Sequence, residues 1–197
     1  MAVGFTRTVG SNSIPVWQGI GKDIQLAQGG FSLVVTGLLA GVNLPAGTPM
    51  TYDEAARTAT IMATGVMYAT AGGSATSYQI LKGSPLKVGD YLATGAAGGK
   101  AYAITAIDTT TSTLYDALTV GTSIGAATAG DLVYASTATG ATASAYPTMK
   151  GLLYDDTIIG TGESVSIVIR GTVYARRVPY NATIEAALPK IIYSQSK

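Results

Sequence analysis

Between Glu163 and Ala175 the chain alternates with a period that a strand satisfies and a helix does not. Val165, Ile167 and Ile169 fall on one face, Ser164, Ser166 and Arg170 on the other, the pattern of a half-buried strand. Gly171 interrupts it, as glycine does at a bulge or a close backbone approach. The alternation resumes out of phase through Thr172, Val173, Tyr174 and Ala175 until Pro179 stops it. Upstream, residues 151–154 form a short apolar run, separated from the long strand by Asp155, Asp156 and a loop carrying Gly160 and Gly162. Strand, polar glycine loop and long bent strand make one unit over residues 150–178, and such a unit needs partner strands from elsewhere.

Those partners are written through the rest of the chain. Residues 31–36 read as a short strand and residues 58–70 as a longer one. Residues 78–81, 86–93, 101–107, 114–120 and 132–135 are strand-length segments spaced by turn signals such as Lys82-Gly83-Ser84-Pro85 and Gly98-Gly99. Short strands at this spacing predict a small sandwich or barrel. Tyr52 to Arg57 reads as a helical turn or a loop. After Pro179, Asn181 is an N-cap for a short helix over residues 183–188 that Pro189 ends, with residues 190–193 as a last strand. The fold class is therefore mainly β.

Composition removes most chemistry. With no Cys and no His, disulfides, thiolate nucleophiles, imidazole bases and Cys- or His-ligated zinc are impossible. The carboxylate pairs Asp53-Glu54 and Asp155-Asp156 are sequence neighbours that point apart and read as solvated turns, and the other Asp residues lack calcium-loop spacing. No phosphate-loop motif is present. We therefore expect no enzyme, no metal and no cofactor. Twelve basic against 11 acidic residues argue against a nucleic-acid footprint, and the apolar window at 31–42 is too short and too broken by glycine to span a bilayer, which needs about 20 apolar residues. Charged residues make up only 12 % of the chain, so part of the surface is expected to be covered by other subunits.

The first 28 residues space Gly4, Gly10, Gly19 and Gly21 among polar residues, with Phe5, Ile14, Val16 and Trp17 as isolated large apolar groups. Such a segment either folds back onto its own domain or becomes ordered on a partner.

The segment Gly151-Leu152-Leu153-Tyr154-Asp155-Asp156, followed after a loop by Val165-Ser166-Ile167-Val168-Ile169-Arg170-Gly171-Thr172-Val173, resembles the C-terminal part of the lambda-type head decoration proteins of tailed bacteriophages. Leu44-Pro45-Ala46-Gly47-Thr48-Pro49-Met50 is similar to the opening of that family's early strand. The whole is most similar to head fibre or auxiliary capsid proteins of crAss-like Bacteroides phages. The resemblance covers about a third of the chain and rests on hydrophobic patterns.

It implies a β-tulip-like domain from residues 44–71 and 141–197, an inserted small β-barrel or sandwich unit at 72–140, and an N-terminal arm and capsid anchor at 1–43. It further implies a homotrimer on the outer capsid surface of a virion, partnered by the major capsid protein, with capsid contacts around Phe5, Ile14, Val16 and Trp17. Trimer or core contacts are expected from Val165, Ile167, Ile169, Val173 and Tyr174. The alternative reading is a receptor- or glycan-binding module using Tyr78, Tyr91 and Tyr102 of the inserted unit.

Overall fold

The computed structural model describes residues 15–19, 23–28, 30–38, 40–160 and 164–194. It is mainly β. The first strands are β1 (Trp17–Gln18), β2 (Gln25–Leu26), β3 (Phe31–Leu33), β4 (Asn43–Leu44), β5 (Pro49–Asp53) and β6 (Thr58–Ile61). A second group follows: β7 (Thr64–Val66), β8 (Ser77–Leu81), β9 (Tyr91–Thr94), β10 (Ala101–Asp108), β11 (Tyr115–Val120) and β12 (Leu132–Ser136). The chain then returns through β13 (Gly151–Leu153), β14 (Thr157–Ile158), β15 (Ser164–Val165) and β16 (Ile167–Tyr174), and ends in helix α1 (Ala182–Ala187) and β17 (Ile191–Ser194).

The alternating stretch is the spine of the first sheet. Strand β16 pairs antiparallel with β1, β2 and β13 and parallel with β17. Because β1 and β17 both pair with Thr172 and Val173, they lie on opposite edges of it. From β16 the sheet continues through β13, β5, β6 and β3 to β15. Only Ser166 separates β15 from β16, so the path leads back to the strand that begins it and the sheet curls. Strands β14 and β4 form a separate two-stranded pair.

Burial along this spine follows the expected alternation only at first. Val165 and Ile167 are buried while Ser164 and Ser166 are exposed. The phase then changes at Val168, three residues before Gly171, because the register against β2 shifts between Val168 and Arg170. Val168 is buried beside Ile167, Ile169 is half-buried and Val173 is buried again. Gly171 itself stays in the ladder opposite Ile191. The Trp17 ring lies against its face, where a Cβ would stand in ordinary contact 3.7 Å from Cε3.

The second group forms a six-stranded sheet ordered β7-β12-β9-β10-β11-β8. A bridge from Met67 to Ile80 joins its two end strands, so this sheet curls as well. Two expected strands are corrected by these pairings. Residues 58–70 are not one strand: β6 belongs to the first sheet and β7 to the second, and the chain crosses between them at Met62 and Ala63, both buried. Residues 86–93 are strand only from Tyr91. Before that, the Lys87 N–H donates to Asp90 Oδ2 and the Asp90 N–H to the Lys87 carbonyl, a side-chain-stabilised turn that competes with the ladder.

Three packed clusters hold these elements. Phe31, Leu44, Met50, Leu153, Val165 and Ile167 fill the interior of the first sheet, while Tyr78, Ile80, Leu92, Ile104, Leu118 and Val133 fill the second. The third cluster joins the two. Tyr134, Ala93 and Ala101 of the second sheet pack with Met62, Leu152, Val168 and Val173 of the first, and with Ile184 and Leu188 at the helix. Each large side chain so buried contributes about 1.5–3 kcal/mol. The helix is held there by Asn181, whose Oδ1 accepts from the Ile184 N–H at 2.9 Å.

Candidate interaction surface

The N-terminal segment is tied to the chain's own sheet from Pro15 onward. Val16 is only 9 % exposed and joins the shared cluster. The half-buried Trp17 donates from Nε1 to the Tyr154 carbonyl at 2.7 Å and packs its ring 6.1 Å from that of Tyr154. Arg177, lying 4.5 Å over the Tyr174 ring, donates to the Pro15 carbonyl and clamps the same segment from the other end of the spine. Val16 and Trp17 thus pack against the domain, while Phe5 and Ile14 lie outside the described residues. Of the spine candidates, Val165, Ile167 and Val173 are buried, and Ile169 and Tyr174 are half-buried.

The tyrosines of the second sheet divide by burial. Tyr78 is fully buried, and its hydroxyl bridges the carbonyls of Ala75 and Gly125, Ser123 Oγ and the Ile124 N–H. That network fixes a loop and leaves no ring face for a sugar, which corrects the expectation of a ligand-contacting Tyr78. Tyr91 is exposed, and Tyr102 packs half-buried against the core. An apolar patch lies elsewhere. Tyr68 and Tyr115 stack with ring centroids 5.1 Å apart, and Leu81 sits directly across the ladder from Tyr115. Tyr68 and Leu81 are 39 % and 46 % exposed, too much for core residues.

Between the two sheets lies a cleft of about 550 Å³. Leu38, Val42 and Ile159 line it on the side of the first sheet, Ile80, Leu86, Val88, Ile107 and Leu118 on the side of the second. Its charged groups are Lys82, Lys87 and Asp116. Lys82 Nζ lies 2.8 Å from Asp116 Oδ1 and also donates to the Thr109 carbonyl, while Lys87 Nζ reaches the Thr36 carbonyl at 3.3 Å. Both lysines sit in the run Lys82-Gly83-Ser84-Pro85-Leu86-Lys87, which reads in sequence only as a turn and the start of the next strand. The concentration of two of the chain's 12 basic residues within six positions is the signal there.

Unlike Asp116, the residues Asp53, Asp90, Asp108 and Asp156 serve turns and loops. Asp53 accepts from the Ala55 and Ala56 N–H groups, which hold its carboxyl below the ordinary value. Hydrogen bonds from the hydroxyls and N–H groups of Thr111 and Thr110 do the same, more strongly, for Asp108. Asp156 accepts from the Ala46 N–H at 2.7 Å and so fastens the loop before β5. Burial pushes Asp90 upward against its hydrogen bond from Lys87. Among the described residues, no group of three or more His, Cys, Asp or Glu is placed to hold a metal ion, and no helix is long and apolar enough to cross a membrane.

Three tyrosines are perturbed at the junction. Tyr134 and Tyr146 stack at 3.8 Å, and burial raises both, Tyr146 to about 12. Tyr146 is held by donating to the Gly95 carbonyl at 2.7 Å and accepting from Asn181 Nδ2 at 2.6 Å. Burial, with Glu185 and Tyr180 nearby, raises Tyr193 further. No protein-family model, curated protein or solved structure matches the chain.

Proposed function

We propose that this chain is a virion structural protein that binds the outer surface of a phage capsid as a trimer, stabilising the head or anchoring a head fibre. The observation that carries the reading is the position of the strand–loop–strand unit on which the resemblance rests. β13 and β16 pair directly at the centre of the curled sheet, and the N-terminal segment runs along the free edge of β16. In this reading the first curled sheet is the β-tulip-like decoration domain and the second is a barrel-like unit inserted into it. The arm leaves from β1, next to the spine, with Val16 and Trp17 as its root and the residues before Pro15 as the grip. Binding energy is the whole mechanism: contacts made only with the assembled shell favour that shell by mass action.

The test removes residues 1–14 and leaves β1 in place, because a longer deletion would strip β1 and β2 from β16. Light scattering should give three times the chain's own mass for both proteins, three times 19.9 kDa for the full chain, and only the full chain should sediment with phage heads. A monomeric full chain counts against the trimer, and full binding by the shortened one counts against the arm.

The patch of exposed Tyr68 and Leu81 with the half-buried Tyr115 favours a second reading, a receptor- or glycan-binding module. A glycan array gives signal under that reading and none for a pure decoration protein.

A further inference from the structure

The cleft between the two sheets has the composition of a ligand site as well as the size of one. Small-molecule sites are concave, about 300–1,000 Å³, mostly apolar, placed between packed units and furnished with a few polar groups. This one holds about 550 Å³. Its deep wall is committed core: Leu118 is fully buried and Ile80, Ile159 and Leu86 are nearly so. Val88, at 57 % exposure, marks the mouth.

The charges decide the kind of occupant. Two ammonium groups and one carboxylate line the cleft, and that carboxylate, Asp116, is already paired with Lys82. Lys87 has a carbonyl contact at 3.3 Å; Asp90, the acid beside it, is engaged by the Lys87 backbone N–H and feels the Lys87 ammonium through space, without an ion pair between them. An ammonium group has three donors and no acceptor. An incoming anion therefore meets an amine not already matched by a lining carboxylate, whereas a cation meets two like charges and a carboxylate in use.

We infer that this cleft binds an amphipathic anion, an apolar body with a single carboxylate or sulfonate group, with the apolar part against the half-buried Leu38, Val42 and Ile107 and the head at Lys87. The site is independent of the capsid role. Isothermal titration of the full chain with dodecanoate tests it, with dodecanol as the uncharged counterpart. Dodecanoate binds saturably at one site per chain. K87Q weakens it about two- to fivefold, the range of a partly exposed charge pair, and leaves dodecanol affinity unchanged. V88W, at a position exposed enough to take a larger side chain, abolishes binding of both, while L114A, outside the cleft, changes neither. Absence of saturable binding by the full chain overturns the inference, as does wild-type binding by V88W; equal loss of dodecanol and dodecanoate in K87Q overturns the role of the anionic head.

Discussion

Replacing Gly151 by alanine is the most direct test of how the first sheet is held together. Gly151 opens β13 where that strand lies between β5 and β16. A Cβ there would stand 2.4 Å from the Val168 carbonyl oxygen and 2.6 Å from Ile167 Cγ2, with the Val168 carbonyl carbon at 3.2 Å. Two of these three atoms are backbone, so no side-chain rotation clears them. Either β13 moves off β16, lengthening the ladder at Leu152 and Val168, or Ile167 leaves its rotamer. Overpacking of this sort costs about 1–3 kcal/mol, and a backbone clash belongs at the upper end. Against it stands about 0.4–1 kcal/mol from the reduced freedom of the unfolded chain. The net expectation is a loss of about 2 kcal/mol, a fall in Tm of about 4–8 °C for a chain of this length. Circular dichroism melts read the shift, and urea titration should move the midpoint without changing the slope. Gly73→Ala is the control, because a Cβ at Gly73 meets nothing within 4 Å. If G151A melts with G73A, the close approach of β13 to β16 is not a constraint and the account of the spine fails.

Tyr134→Ala should cost about 3–5 kcal/mol, the range for deleting a buried aromatic. Because Tyr134 packs in the cluster shared by both sheets, its loss should lower one cooperative transition; a variant in which only half of the structure melts early would show the sheets to be independent. Alkaline titration followed at 295 nm should leave Tyr146 protonated well above its ordinary value of 10.0, since its folded value is about 12. The sign follows: the group contributes stability below pH 10 that is lost as pH rises from 10 to 12, so Y146F should flatten the stability curve in that window. Trp17→Phe keeps most of the ring and removes the donor to Tyr154, and should cost about 1 kcal/mol. A loss above about 3 kcal/mol would mean that the indole packing, not the hydrogen bond, roots the arm.

The strand content was legible because alternation is local: Val165 and Ile167 announce their face within a few residues. The phase change at Val168 was not, because it answers to β2, a partner at the far end of the sequence. The same distance hid the crossing at Met62 and Ala63. Residues 58–70 are uniformly strand-like, and only their partners assign them to different sheets. Asn181 was readable as a cap because its partner, Ile184, is three residues away. Tyr78 reads as one of many tyrosines until the chain brings Ser123 and Gly125 to its hydroxyl. The cleft left the faintest trace, since its walls come from separated segments and only residues 82–88 line it as a run longer than two.

The placement of β16 also sets a timetable for synthesis. Strands β7 to β12 pair among themselves and emerge in one continuous stretch, so the second sheet can close while the ribosome is still working. The first cannot, because β1 and β2 wait for β16, which is made only after β3 to β15. Until then Val16 and Trp17 lack the strand that β1 pairs with, and Phe31 and Met50 lack Val165 and Ile167. A chain cut short before β16 should therefore carry one finished sheet and one sticky, incomplete one, and any surface that needs the first sheet closed appears only once β16 has been made.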